Sequence, residues 1–289
     1  MDDVGNTALT VVASISTLLI ISLGLAVIFG MMRIINLAYG EFLMVGAYAT
    51  VEFVKHDLLN VWLAIFLVAP AVAGALGVCV ERILIRPLYG RRMVDTMLAT
   101  FGLSLVLSQA AKDLFGSVPV GVGTPLGSFK IGRFAQSDYT VVLIGFALLL
   151  IVVVYLVFTR TKYGVIARAT SQNPGMAAAL GVNSRRVNMY TFALGSALAG
   201  IAGGMIAPTV GVGPALGQNY IAESFMTVIT GGAAVLSGVT AAAGVLGGAQ
   251  SLVAELLRTF YGEAALLIVA IVLLRLIPQG LSSKWRSQL

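Results

Sequence analysis

Two acidic side chains stand in stretches otherwise too apolar to hold them. Glu41 closes the run INLAYGEF, in which Asn36, Tyr39 and Gly40 add polar and flexible character. Glu223 follows GPALGQNY, which contains Gln218 and reads as an irregular segment at an external mouth. An ionisable group at membrane depth is costly to desolvate, so it marks either a solute pathway or a polar bond between packed helices. On the first reading Asn36, Tyr39, Glu41, Gln218 and Glu223 line a path for a small polar solute. On the second, Asn36 and Glu41 bond a neighbouring helix and Glu223 is an ordinary loop residue. The residue types leave both open.

Bond-making chemistry has almost no material here. There is one His, His56, beside Lys55 and Asp57 as in a solvated loop, and one Cys, Cys79, in an apolar run. Neither a nucleophile–base pair, nor a disulfide framework, nor a Cys-based metal site can be built from them. The glycine runs at 200–204 and 244–248 lack the lysine of G-x4-G-K-[ST], and no G-x-G-x-x-G stands in a βαβ context. The chain is therefore expected to be no enzyme, to bind no metal or cofactor directly, and to hydrolyse no ATP. Any uphill work must come from a separate ATPase. The small-residue motifs Gly200-x2-Gly203-Gly204 and Gly244-x3-Gly248 read as helix-packing faces. Met31, Met32 and Met44 read as packing too.

A third stretch, SQNPGMAAALG at 171–181, spells a whole small helix. Asn173 can cap its first N–H groups, Pro174 suits the first helical position, and Gly181 suits a left-handed stop. Met176, Ala177, Ala178 and Leu180 are good helix formers between them. So short a helix is marginal alone and needs something to pack on. Met176, Ala177 and Leu180 offer a small apolar face for a groove on another protein.

The elements that must hold these groups follow from composition. Of 289 residues, 58% are hydrophobic and 10% charged, against about 25% charged in a soluble domain. Each long charge-free run must cross a roughly 30 Å hydrocarbon core as a helix. Gaps between charges place spans at about 8–30, at 34–54, between Asp57 and Glu81, from Asp95 to Lys112 with the flanking polar residues included, at 139–159, at 188–207 before Pro208, and at 262–277. The stretch 224–254 is too long for one span and breaks at Gly231-Gly232 or Ser237-Gly238. The expectation is an all-α polytopic membrane protein of eight or nine spans, one transmembrane domain over 1–289, with a loop at about 160–187.

Basic residues orient it. Arg82, Arg86, Arg91 and Arg92; Arg160, Lys162, Arg168, Arg185 and Arg186; and Arg275, Lys284 and Arg286 form three clusters that belong on the cytoplasmic side. The loop 116–138 then faces out, as does the N-terminus, and the C-terminus lies inside. The net charge of +6 is topological, with no nucleic acid implied. The start MDDVGNTALT reads as carrying no removable signal peptide.

With its RAT stretch upstream at 168–170, the MAAALGV segment followed by ALGSALAGIAGGM (193–205) resembles the permease subunits of ATP-binding-cassette importers. GLAVIFGMMRIINLAYGEFLMVGAY (24–48) resembles the branched-chain amino acid permease family, and VGPALGQNYIAESFMTV (212–228) its urea-importer branch. Tyr39 stands where that pattern carries His, so nothing tied to an imidazole transfers. The resemblance implies a bacterial inner-membrane permease moving urea or short-chain amides, with branched-chain amino acids as the alternative and a stand-alone channel or secondary carrier as a further one. It makes 173–181 the coupling helix seated in an ATPase subunit. It also implies two ATPase subunits, a second permease or second copy of this chain, and a periplasmic or lipid-anchored binding protein.

Overall fold

A computed structural model describes residues 2–131, 134–232 and 235–282. Eleven helices carry the described chain. They are α1 (Asp2–Met32), α2 (Tyr39–Lys55), α3 (Val61–Leu88), α4 (Met93–Phe115), α5 (Asp138–Arg160), α6 (Lys162–Gln172), α7 (Pro174–Ala179), α8 (Ser184–Ile206), α9 (Leu216–Gly231), α10 (Val235–Leu256) and α11 (Thr259–Leu276). Seven are long and apolar enough to cross a membrane: α1, α3, α4, α5, α8, α10 and α11. The other two expected spans, α2 and α9, have 17 and 16 residues. At 1.5 Å per residue each reaches only about 25 Å, short of the hydrocarbon thickness.

Several borders differ from the sequence expectation. The second helix begins at Tyr39 rather than near 34, because α1 stops at Met32 and Arg33 takes a left-handed φ of 54°. GPALGQNY is irregular only at its start: Leu216 to Tyr220 already belong to α9. The loop 116–138 is not featureless, since β1 (Ser128–Ile131) and β2 (Phe134–Ser137) pair antiparallel, Ser128 opposite Ser137. Lys284 and Arg286 lie outside the described residues. As expected, α4 takes in Asp95 and Lys112, and the chain breaks after Gly231.

α3 shows how the chain absorbs prolines inside a span. A prolyl ring lacks the N–H and collides with the carbonyl four residues earlier. Here the helix widens by one residue at Ala64–Val68, just ahead of Pro70, and again at Glu81–Ile85, just ahead of Pro87. The first wide turn relieves the collision and the helix runs on past Pro70, whereas after the second it tightens into one last turn, Arg86–Leu88, and stops.

Contacts divide the chain into two units, with the divisions falling inside α1, α5 and α9 and in the loop before β1. The larger comprises 23–122 and 152–221. Its centre is α2, α3 and α8, each packed against the other two. Tyr39, Phe42, Leu43, Met44 and Ala47 have no exposed surface, and Phe42 meets the Phe192 ring edge-on at 5.7 Å. No hydrophobic force drives such helices together in lipid, so close van der Waals packing must do it. The glycines of 200–204 allow that approach: a Cβ on Gly203 would stand 1.9 Å from the Leu43 carbonyl oxygen, and one on Gly200 2.4 Å from that of Ala69.

The smaller unit comprises 1–22, 123–151 and 222–289. In it α10 and α11 pack together, Ser224 donates to the Ile21 carbonyl at 3.2 Å, and Leu281 N–H donates to the Thr230 carbonyl at 2.9 Å. Two α10 glycines meet neighbours, Gly238 against Gly231 and Gly247 against Ile15 of α1, whereas Gly244 and Gly248 have nothing within 4 Å among the described residues. The expected Gly244-x3-Gly248 packing face is therefore open. Elsewhere large apolar side chains face outward, among them Leu148 at 61% exposed and Leu98 at 65%. Water would not tolerate such a surface, and lipid does.

Candidate translocation seam and coupling loop

Asn36 and Glu41 flank the step between α1 and α2. Asn36 is fully buried and its Oδ1 accepts from Ala38 N–H at 3.0 Å, a local turn that lets the chain re-enter a helix at Tyr39. Its Nδ2 has no partner among the described residues. Glu41, 1% exposed, accepts at Oε1 from the Ser104 hydroxyl of α4 at 2.8 Å, while Oε2 has no partner among the described residues. The geometry thus serves both readings left open above. Ser104 ties the carboxylate to a neighbouring helix, and one donor and one acceptor stay unsatisfied. Each such group costs about 1–3 kcal/mol when buried.

Ser104 belongs to a ladder that the sequence reading missed. Thr96, Thr100, Ser104 and Ser108 recur every four residues along one face of α4. Thr100 accepts from Leu37 N–H at 3.1 Å, and Ser108 donates to the Pro214 carbonyl at 2.9 Å. The rest of α4 presents Leu98, Phe101, Leu105 and Val106 outward. The period of four was visible in the sequence, but isolated hydroxyls in an apolar helix carry little weight until a partner face is known.

The other path candidates are placed differently. Tyr39 has no exposed surface and its hydroxyl lies against the Gly24–Leu25 backbone of α1, where it pins the start of α2. Gln218 is exposed on the first turn of α9. Next to it, Gly217 and Gly40 bring their backbones together, a Cβ on Gly40 falling 2.1 Å from the Gly217 oxygen. Glu223 belongs to the smaller unit, where it is partly buried and accepts from Gln250 Nε2 at 3.0 Å.

The loop 160–187 is built from caps. Thr161 caps α6 by accepting from Gly164 N–H at 3.1 Å, and Asn173 caps α7 by accepting from Met176 N–H at 2.9 Å. At the far end Gly181 N–H donates to Ala178 O at 2.9 Å and Val182 N–H to Ala177 O at 3.0 Å, with Gly181 at φ 85°. This is the paired Schellman closure, which needs a residue free to turn left-handed. Asn183 then caps α8 through Arg186 N–H at 3.2 Å. The apolar face expected from Met176, Ala177 and Leu180 is split: Ala177 is 4% exposed and turned inward, while Met176 and Leu180 project at 61% and 79%. Pro174 and Ala178 are exposed as well.

Two bonds carry this loop to the rest of its unit. The Tyr163 hydroxyl shares a hydrogen bond with Thr191 of α8 at 2.7 Å, and burial holds its pKa above the ordinary tyrosine value. Ser171 donates to the Gly30 carbonyl near the end of α1 at 3.4 Å, three residues before the left-handed Arg33. Among the described residues no group of three His, Cys, Asp or Glu could hold a metal ion.

A family model described as the branched-chain amino acid transport system permease component matches residues 7–277. The chain is 26% identical to the high-affinity branched-chain amino acid transport system permease protein LivH of Escherichia coli K12, over 92% of this chain and 91% of that one. It is 28% identical to the corresponding protein BraD of Pseudomonas aeruginosa, over 92% and 91%. It is 26% identical to LivM of E. coli K12, over 94% of this chain and 69% of LivM. No solved structure matches.

Proposed function

Because this chain belongs to the family of branched-chain amino acid transport system permease components, we propose that it is one membrane half of an ATP-driven importer for branched-chain amino acids. The observation that carries the substrate is that LivH and BraD, both named for that transport, align over nine tenths of both chains. Urea or a short-chain amide, favoured by the segment 212–228 alone, becomes the second reading. The partners are two ATPase subunits, a second permease of the LivM kind or another copy of this chain, and an external binding protein. The N-terminus faces out and the loop 160–187 faces the cytoplasm, as the arginine clusters favour.

In this reading Met176 and Leu180 seat in the ATPase. Motion of α7 reaches α8 through Tyr163 and Thr191, and the end of α1 through Ser171 and Gly30. The step at 33–38 is where α1 and α2 can shift, and the unpartnered Asn36 and Glu41 atoms beside it are groups a passing zwitterion could engage. Alternating access then needs no chemistry from this chain, only two arrangements of that step.

Reconstituted with its partner subunits and binding protein, the chain should take up leucine with ATP and leave urea outside. Urea uptake without leucine uptake would move the substrate to the second reading. Uptake by the chain alone, without ATP, would replace the importer by a channel or secondary carrier. Glu41→Gln should lower ATP-driven uptake roughly tenfold, the loss of one hydrogen bond to a charged group, with the ATPase subunits still bound. Dissociation of the complex instead would assign Glu41 to helix bonding alone.

A further inference from the structure

At one end of the larger unit, the last turns of α3 and the first turns of α8 enclose a cleft of about 470 Å³ lined by Arg82, Arg86, Arg185, Arg186, Glu81 and Met189 among others. None of the four arginines forms an ion pair among the described residues. Arg82 is fixed through Nε, which donates to the Met189 sulfur at 3.3 Å, leaving its two terminal amino groups for another acceptor. The one carboxylate in the lining offsets only one of the four charges. Glu81 is 1% exposed and accepts at Oε1 from the Tyr89 hydroxyl at 2.8 Å. Burial and that carboxylate push the tyrosine pKa upward, so Tyr89 stays a donor. The widened turn Glu81–Ile85 aims Glu81 inward while Arg82 and Arg86 stay exposed. Four cations and one acid leave a surplus of three positive charges.

α3 and α8 are both long enough to span a bilayer, so their ends lie at headgroup depth. Ile83, 78% exposed, follows Arg82 in the chain, and Tyr190, 55% exposed, stands one helical turn after Arg186 and lines the same cleft. A cation cluster meant for a soluble anion has no use for apolar neighbours. One meant for a lipid places them along the acyl chains.

We propose that this cleft binds the phosphate of an anionic membrane phospholipid, held by the guanidinium groups of Arg82, Arg86, Arg185 and Arg186. The chemistry is that of a planar fork on phosphate oxygens, which arginine provides and lysine does not. The site rests on the membrane-end placement of α3 and α8 and is independent of which solute the importer carries.

The test is native mass spectrometry of the complete, delipidated transporter in detergent, with phosphatidylglycerol, phosphatidylcholine or inorganic phosphate added. Phosphatidylglycerol should be retained, phosphatidylcholine should not, and millimolar phosphate should not displace the lipid. Arg82→Gln with Arg186→Gln should weaken retention by about tenfold or more, while Arg160→Gln, at another basic end, should leave it unchanged. Should the glutamine pair not be recovered as an intact complex, Arg82→Lys with Arg186→Lys serves in its place and should still weaken retention. Equal retention of phosphatidylcholine, displacement by phosphate, an equal loss in Arg160→Gln, or undiminished binding in either double variant overturns the proposal. Loss of the ATPase subunits with lipid binding intact also overturns it, and assigns the arginines to a protein contact.

Discussion

Gly203→Val should leave almost no folded permease. The new Cβ would stand 1.9 Å from the Leu43 carbonyl oxygen and 2.9 Å from the Ala47 nitrogen, both backbone atoms. Side chains can rotate away from such an intrusion, but α2 cannot simply retreat, because it also packs against α3 and α4 and buries Phe42, Leu43, Met44 and Ala47 completely. Overpacking a core costs about 1–3 kcal/mol even when side chains and backbone can shift to relieve it, and occasionally more. That is a large fraction of the roughly 5–15 kcal/mol that holds a protein folded. Gly248→Val is the matched control: its Cβ meets nothing within 4 Å, and the change should be within about 0.5 kcal/mol of neutral. Size-exclusion profiles and thermal unfolding in detergent read both. Equal behaviour of the two variants would refute the packing assigned to α2 and α8.

Gly181→Val should abolish ATP-driven uptake by about tenfold or more while insertion and abundance stay normal. Gly181 turns at φ 85°, where a β-branched residue is strained by roughly 1–2 kcal/mol. The two closing bonds, from Gly181 to Ala178 and from Val182 to Ala177, depend on that turn. A helix of six residues has no reserve with which to survive their loss. Met176 and Leu180 would then lose the fixed spacing with which they project. Gly181→Asn, which tolerates the left-handed region, should keep most of the uptake. Full transport in Gly181→Val would remove α7 from the coupling route.

What could be read in advance was what is encoded locally. Charge gaps located α4 and α5 to within a few residues, because lipid forbids charges in the middle of a span and tolerates them at its ends. The caps of α7 were legible for the same reason, since Asn173, Pro174 and Gly181 act on their own backbone. Face assignments were not. Ala177 and Met176 are both apolar and about 100° apart on the helix, and composition alone does not say which of the two faces inward, yet Ala177 is turned inward and Met176 outward. Gly244 and Gly248 carry the packing spacing, but it is Gly247 that meets Ile15. Nor could GPALGQNY disclose that its Gly217 would close on Gly40 and begin a helix there. The seam at Glu41 was half seen: the acid stood out, whereas Ser104, its partner 63 positions away, did not. The urea reading leaned on one segment, and relatives aligned over nine tenths of the chain carry the other solute's name.

The two wide turns of α3 bear on how this span can change length. An α-helix that loses one residue rotates everything beyond the gap by about 100°, so a polar face becomes a lipid face. Ala64–Val68 and Glu81–Ile85 each already carry one residue more than a regular turn requires. Shortening the chain by one there would leave both flanking stretches in phase, at the expense of pressing the ring of Pro70 or Pro87 onto the carbonyl of Phe66 or Ile83. These are the two places where a single-residue deletion can enter this span without exchanging its inside for its outside.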